Sequence, residues 1–498
     1  MISMVMKFKE SLLPIASSLN SPLDQFILLI CIFSSFPLGL INYFIKSPFI
    51  RLVYGLITGM ALQFFLYEFD IIRCVISILI TYVYIKFFAR KSWSSPFYLL
   101  IILLLSLAYD HIVKIIYKYG DWSVDITVIH MIVLCKLSAL GFSYEDGLKQ
   151  DSEFVNEYQK TKKVVEEPSF LELFSYTFYY SSAVAGPYFD FSDFKKFIYL
   201  KEEYSIIPTL QAIYYSLYDL ITAFGCTFIF LNYKSAYDVN LVCKPEFNDY
   251  YFFYKIYYLN IAMIINGMKY YLVWKLTTSA NVFNGLAYNP NSKVNEEGET
   301  TIEHNFDKFN AVYILKILFN PNPKQKIEGW NHQVHIWLKY HVMLRFVNVS
   351  SKFIKNNRIL FTYMVSSIWH GFYPVYYWFF LDFYFVDQIS SMLEKDKFFE
   401  RLEHSSYILQ IICNFIGLHA CNYLGVTFAL LTFENVLNYY KNMYFIPNIC
   451  VYLLYIYLAF IKTESKKITR LEPGKPLDLS KIGKESSLSK DTKEKKLS

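Results

Sequence analysis

An all-α, polytopic membrane protein is the fold class this sequence predicts, on three observations. The 498-residue chain is 54% hydrophobic, too apolar for a soluble enzyme of this length. Its apolar residues gather into roughly ten or eleven stretches long enough to cross a bilayer. One of these, Ile359–Leu381, reads ILFTYMVSSIWHGFYPVYYWFFL, with no charged residue and His370 at its centre. As a single helix it extends roughly 33 Å, which puts the imidazole near mid-membrane depth. A titratable ring there is costly unless it faces a water-filled or substrate-filled cavity, so the helices are expected to surround an internal chamber with His370 in its wall.

The spans follow in chain order. Phe26–Ile45 is the first. Phe49–Tyr67 and Ile71–Phe88 come next, each carrying a lysine or arginine, and Pro96–Tyr109 begins another. Val124–Phe142, Ser205–Leu231 and Tyr250–Trp274 precede Ile359–Leu381, and Tyr407–Phe433 and Ile446–Ile461 close the series. Many of the 45 tyrosines and 46 phenylalanines suit interfacial belts, although Ile, Asn and Lys are also abundant, as a codon bias would produce. The first long apolar run is too long for the core of a cleaved signal peptide. The eight cysteines form no CxxC pair and read as small core hydrophobes.

Two polar loops interrupt this pattern. Glu145–Glu167 is charged and ends at Pro168–Ser169, where Ser169 and Glu172 make a capping box for a helix expected to stop at Gly186–Pro187. Gly285–Asn310 is rich in Asn, Glu and Gly and leads to Trp330–Asn331. The membrane domain occupies residues 1–461. Residues 462–498 change to Lys, Glu, Ser and Pro, and their 11 basic against 6 acidic residues hold +5 of the +6 net charge. That tail is expected to be disordered and cytosolic. Its Lys495–Lys496 pair matches a dilysine retrieval signal of the endoplasmic reticulum, or is chance in a lysine-rich segment.

Chemistry concentrates in three segments. The first contains Pro168-Ser169-Phe170-Leu171-Glu172, Tyr179-Tyr180 and Gly186-Pro187-Tyr188-Phe189-Asp190, with Tyr144-Glu145-Asp146-Gly147 before it. The second is Trp330-Asn331, continuing through Trp337-Leu338-Lys339-Tyr340. The third is Ser366-Ser367-Ile368-Trp369-His370-Gly371-Phe372-Tyr373-Pro374, where Asn331 precedes His370 by 39 residues. The spacing of His332, His335 and His341 is not read as a metal site. There is no phosphate-binding glycine loop, no GxSxG and no HExxH.

Over roughly residues 141–380 these segments resemble the membrane-bound O-acyltransferase family, with the closest similarity to the branch that acylates lysophospholipids. Val375 departs from the pattern, standing where relatives carry glycine, and its β-branch stiffens the chain after Pro374. The resemblance implies that His370 is catalytic and that Asn331 lies in the same cavity. The residue chemistry agrees. Transfer from a thioester to an alcohol needs a base for the hydroxyl proton, and an imidazole, pKa ~6.5 when unperturbed, suits neutral pH. A carboxamide N–H can stabilise charge developing on the carbonyl oxygen, or orient a substrate. Trp330, Trp369, Gly186 and Pro187 are expected around the substrates. Lys339 and Arg345, with Lys352 and Lys355 behind them, are candidates for the phosphates of acyl-CoA, or form an ordinary interfacial basic cluster. Trp330 and Trp369 also fit a wall role, and His130 reads as structural.

The expected partners are acyl-CoA as co-substrate, a lysophospholipid and the bilayer, with no nucleic acid, no metal and no bound cofactor. The expected reaction is phospholipid remodelling by acyl transfer in the endoplasmic reticulum. One alternative is a different acceptor: a neutral lipid, a sterol or a protein. Ile327-Glu328-Gly329-Trp330 departs from the Phe-Tyr-x-Asp-Trp-Trp-Asn element of the sterol and diacylglycerol branch. The other alternative is a transporter with His370 in a polar pathway, which the absence of paired repeats disfavours.

Overall fold

The computed structural model describes residues 2–19, 21–154, 156–294 and 300–471. Its long helices are α1 (Leu23–Phe44), α2 (Pro48–Tyr67), α3 (Ile72–Val83), α4 (Pro96–Tyr117) and α5 (Thr127–Asp146). The short α6 (Phe170–Phe178) and α7 (Phe191–Ile198) follow, then α8 (Thr209–Tyr233) and α9 (Phe252–Phe283). The second half contains α10 (His332–Trp337), α11 (Arg358–His370), α12 (Pro374–Lys395), α13 (Tyr407–Leu430), α14 (Phe433–Asn442) and α15 (Ile446–Leu471), with further short turns between. Among the described residues strands are confined to one antiparallel ribbon, β1 (Asn291–Val294) and β2 (Thr300–Glu303), inside the second polar loop, where Asn291 pairs with Glu303.

Among the described residues six helices are long and apolar enough to cross a membrane: α1, the run Pro48–Phe88, α4, α5, α8 and α13. The helix pair α14 with Ile446–Ile461, bent by 84°, makes a seventh if it is one broken span. This is fewer than the ten or eleven stretches in the sequence: Tyr250–Trp274, within α9, is not among the six, Ile446–Ile461 counts only as part of the bent pair, and two further stretches are lost to the fold. Pro48–Phe88 joins two stretches through a 3-10 turn at Glu68–Ile71. The stretch Ile359–Leu381 is broken: α11 stops at His370 and α12 begins at Pro374.

The partition between lipid and core follows the side chains. On α8, Leu210, Tyr218, Ile221 and Phe228 are 63–83% exposed, an apolar face left to lipid. By contrast α5 is buried along nearly its whole length and forms the axis of the largest core cluster, with Leu99, Leu103, Tyr176 and Trp337 packed around it. A helix apolar on every side belongs in such a position.

The capping box forms: Glu172 N–H donates to Ser169 Oγ (3.2 Å) and Ser169 N–H donates to Glu172 Oε2 (2.8 Å). The helix it starts ends at Phe178, eight residues short of Gly186, because Tyr179 turns extended (φ −56°, ψ 122°). At that point α2 passes with its backbone against the chain, and a Cβ at Gly59 would lie 1.4 Å from the Phe178 carbonyl oxygen. No side-chain rotation relieves that overlap. Gly59→Ala is therefore expected to destabilise the protein by more than the ~1–3 kcal/mol of ordinary core overpacking. Thermal unfolding in detergent checks it, and an unchanged midpoint would show that the two segments separate easily.

The last helix runs past Lys462, the expected start of the tail, to Leu471. The remainder of that tail, with its terminal lysine pair, lies outside the described residues.

Candidate functional site

His370 is the last residue of α11, at the tip of a helical hairpin. The rings of Tyr363 on α11 and Tyr384 on α12 face each other at 6.1 Å, so the two helices run back along one another. Ile359–Leu381 therefore does not place its imidazole midway along one span, as the sequence suggested. It places it where the chain reverses. The reversal depends on Gly371, at φ +120° and ψ −163°, a region open only to glycine. A Cβ there would also meet His111 Nδ1 at 3.0 Å.

Three hydrogen bonds fasten the tip. His111 Nε2–H on α4 donates to the Trp369 carbonyl (3.0 Å), Trp369 Nε1–H donates to the Met131 carbonyl on α5 (2.9 Å), and Gly120 N–H donates to the Tyr373 hydroxyl (2.8 Å). The His370 ring then stands among Trp369 (4.6 Å between centroids), Phe428 (5.0 Å), Phe380 (5.1 Å) and Tyr376 (6.0 Å). It keeps partial accessibility, and among the described residues neither ring nitrogen has a hydrogen-bond partner. An imidazole held by apolar contacts alone retains both its donor and its acceptor for an incoming group.

Asn331 precedes α10 in the left-handed region (φ 41°, ψ 54°), a conformation that asparagine tolerates better than most residues. Its carbonyl accepts from His335 N–H (3.0 Å), while its side chain is partly accessible and has no partner among the described residues. Trp330 packs on Trp274 (5.0 Å), Tyr270 (5.6 Å) and Tyr271 (5.7 Å) of α9. Trp337, at the other end of α10, donates to Ser138 Oγ (3.0 Å) and lies 6.2 Å from Trp369. The two motifs thus meet through a pair of tryptophans. Among the described residues no hydrogen bond joins Asn331 to His370.

The remaining expected residues divide. Gly186 and Pro187 form a buried turn, with Gly186 at φ +87° packed on Ile132, the residue after the one that holds Trp369. Asp190 beyond them is a buried hub. It accepts from Tyr158 Oη–H, from Tyr188 Oη–H (2.7 Å) and from His341 Nε2–H (3.1 Å). Burial raises the Asp190 carboxyl, but the hydrogen bond from His341 and the Lys162 charge more than offset it and bring it to about 2. Arg345 differs from the expectation of a phosphate-binding group. It is buried, and its two terminal nitrogens donate to the two carboxylate oxygens of Asp146 (2.8 and 2.7 Å). Its donors are taken by Asp146 of the Tyr144-Glu145-Asp146-Gly147 element and by the Tyr340 carbonyl (3.1 Å). Lys339 is partly exposed, lies 5.1 Å over the Tyr340 ring and has no ion pair among the described residues.

His130, structural by its sequence context, stands in a second histidine centre whose partners come from other helices. His130 Nδ1–H donates to Asp110 Oδ2 (2.6 Å), and Ser77 Oγ lies 2.8 Å from His130 Nε2. The order Ser-His-Asp resembles that of hydrolytic triads. All three side chains are sealed in the core, however, and Arg73 also pairs with Asp110, so no acyl group reaches the hydroxyl. The network ties α3, α4 and α5 together. Its neighbour His111 holds the tip that carries His370. The available signal was Asp110-His111, two titratable residues in succession within an apolar stretch.

Several helices long and apolar enough to cross a bilayer define a multi-pass membrane protein. The family model described as MBOAT, membrane-bound O-acyltransferase family, matches residues 111–430, and the chain belongs to that family. It is similar to a lysophospholipid acyltransferase of Schizosaccharomyces pombe, 27% identical over 453 residues, covering 86% of this chain and 85% of the relative. A lysophospholipid acyltransferase of Saccharomyces cerevisiae is 28% identical over 390 residues, covering 72% of this chain and 61% of the relative. The mouse membrane-bound glycerophospholipid O-acyltransferase 1 is 24% identical over 377 residues, covering 72% and 74%.

Proposed function

We propose that this protein transfers a fatty acyl group from acyl-CoA to the free hydroxyl of a lysophospholipid, in the membrane of the endoplasmic reticulum and with its C-terminal tail in the cytosol. The observation that carries this reading is the His370 ring, fastened at a hairpin tip with both nitrogens unclaimed in an apolar surround. In the proposed reaction the imidazole takes the hydroxyl proton as the oxygen attacks the thioester carbonyl. The new C–O bond forms, the C–S bond breaks, and the departing thiolate receives the proton from the imidazolium. Asn331 acts in the same reaction by donating its amide N–H to the carbonyl oxygen or to the acceptor. The names of the yeast and mouse relatives support the acceptor class.

The test is purified protein given labelled oleoyl-CoA with lysophospholipid, diacylglycerol, sterol or peptide in parallel. Product on the lysophospholipid alone is expected, and transfer only to another acceptor overturns the reading. Asn331→Ala is expected to lower kcat by about 10²-fold, the usual effect of losing a donor to a developing oxyanion. A wild-type rate in that variant leaves Asn331 a structural role.

A further inference from the structure

We propose that Lys269 is a phosphate-binding residue of the acceptor site, holding the phosphodiester of the lysophospholipid; this rests on the acyl-transfer reading above. Lys269 lies within α9, and its ammonium stands over the rings of Tyr270 (5.1 Å) and Trp122 (5.6 Å). It has no ion pair and no hydrogen-bond acceptor among the described residues, and it keeps partial accessibility. Four buried lysines elsewhere are satisfied. Lys136 donates to the Tyr176 carbonyl (3.1 Å), Lys255 to the Asn442 carbonyl (3.1 Å), Lys275 to Asp219 (2.8 Å) and Lys326 to Asn414 (2.7 Å). An ammonium held inside an apolar bundle without an acceptor is costly, and an anionic ligand removes that cost.

The position identifies the ligand. On one side Trp122 lies 5.9 Å from Phe428, which lies 5.0 Å from His370. On the other side Tyr270 lies 5.6 Å from Trp330, the residue before Asn331. Lys269 is therefore linked through ring contacts to both candidate reactive residues. In a glycerol lysophospholipid the free hydroxyl and the phosphate are separated by only a few bonds. An acceptor whose hydroxyl reaches His370 carries its phosphate close by, and a lysine supplies charge-assisted hydrogen bonds to it.

The same phosphate chemistry also belongs to acyl-CoA, so the experiment separates the two sources. Initial rates of purified full-length wild type, Lys269→Met and Lys269→Arg are measured against each substrate with the other saturating. Lys269→Met is expected to raise KM for the lysophospholipid about tenfold or more, with KM for acyl-CoA within about twofold. Lys269→Arg restores most of the acceptor affinity. Activity on monoacylglycerol, which lacks the phosphate, falls far less. Unchanged acceptor KM overturns the proposal, and so does an increase confined to acyl-CoA. Thermal stabilisation by a lysophospholipid analogue without the free hydroxyl is measured in parallel on wild type and Lys269→Arg, against a neutral analogue. Stabilisation by the phosphate-bearing analogue alone supports the site even if Lys269→Met does not fold or no lysophospholipid is acylated, and equal stabilisation by both analogues overturns it. Absence of turnover on every lysophospholipid in wild type is failure of the acyl-transfer reading itself, distinct from either result.

Discussion

His370→Ala is expected to abolish acyl transfer in membranes where the protein accumulates at the wild-type level. The general base of such a reaction contributes about 10²–10⁴-fold, and within the candidate site no other described side chain is placed to replace it. The histidine nearest in the fold, His111, gives Nε2–H to the Trp369 carbonyl and holds the hairpin instead. The sealed His130 is committed to Asp110 and Ser77. Stability is expected to change little by comparison, because the His370 ring makes no hydrogen bond whose partner would be orphaned. His370→Asn keeps polarity and some bulk while removing the base, so it separates chemistry from packing. The measurement is turnover of labelled acyl-CoA alongside the thermal midpoint. Retained turnover in both variants would remove the assignment.

Arg345→Ala is expected to cost about 3–5 kcal/mol of stability, a large part of the 5–15 kcal/mol that holds a typical domain. The guanidinium is 6% exposed and its partner carboxylate 1% exposed, so solvent does little to weaken their pairing. Its removal leaves Asp146 with Lys149 alone, whose side chain is 32% exposed. It also strips the Tyr340 carbonyl of the Arg345 Nε donor at 3.1 Å. The expected result is a steep loss of folded protein in detergent. Replacing both partners, with Arg345→Met and Asp146→Leu, is expected to recover much of the loss, since no buried charge then stands alone. Normal stability in the single variant, coupled to a raised KM for acyl-CoA, would return Arg345 to the phosphate-binding role that its sequence position suggested.

The two arginine readings show what a linear pattern contains. Positive charges between Trp330-Asn331 and the Trp369-His370 segment looked available because sequence spacing is silent on which carboxylate stands opposite. Asp146 lies 199 positions away and reaches Arg345 only because α5 and the chain after α10 pack together. The stretch around His370 shows the same limit. Its apolar run satisfies the length of a span, but Gly371 and Pro374 divide it, and whether such a pair kinks a helix or reverses it depends on what it packs against. Here His111, Met131 and Gly120 fasten the reversal from two other helices and a loop.

Local features were legible from the residues alone. The capping box at Ser169 and Glu172 forms within four residues, and the apolar stretches partition by the summed transfer energies of their own side chains. The family follows from residue types at set spacings, above all Asn331 and His370 with Gly186-Pro187 upstream. All of this was determined by the sequence, because each contribution is a property of the segment itself. The tertiary structure decided which polar groups are spent on one another and which stay free. Arg345 is paired with Asp146 and Asp110 with His130, while the His370 ring, the Asn331 amide and the Lys269 ammonium keep unclaimed atoms. That division depends on which helices meet, because a buried charge or donor is settled by the partner that arrives beside it, and segments far apart in the chain supply those partners.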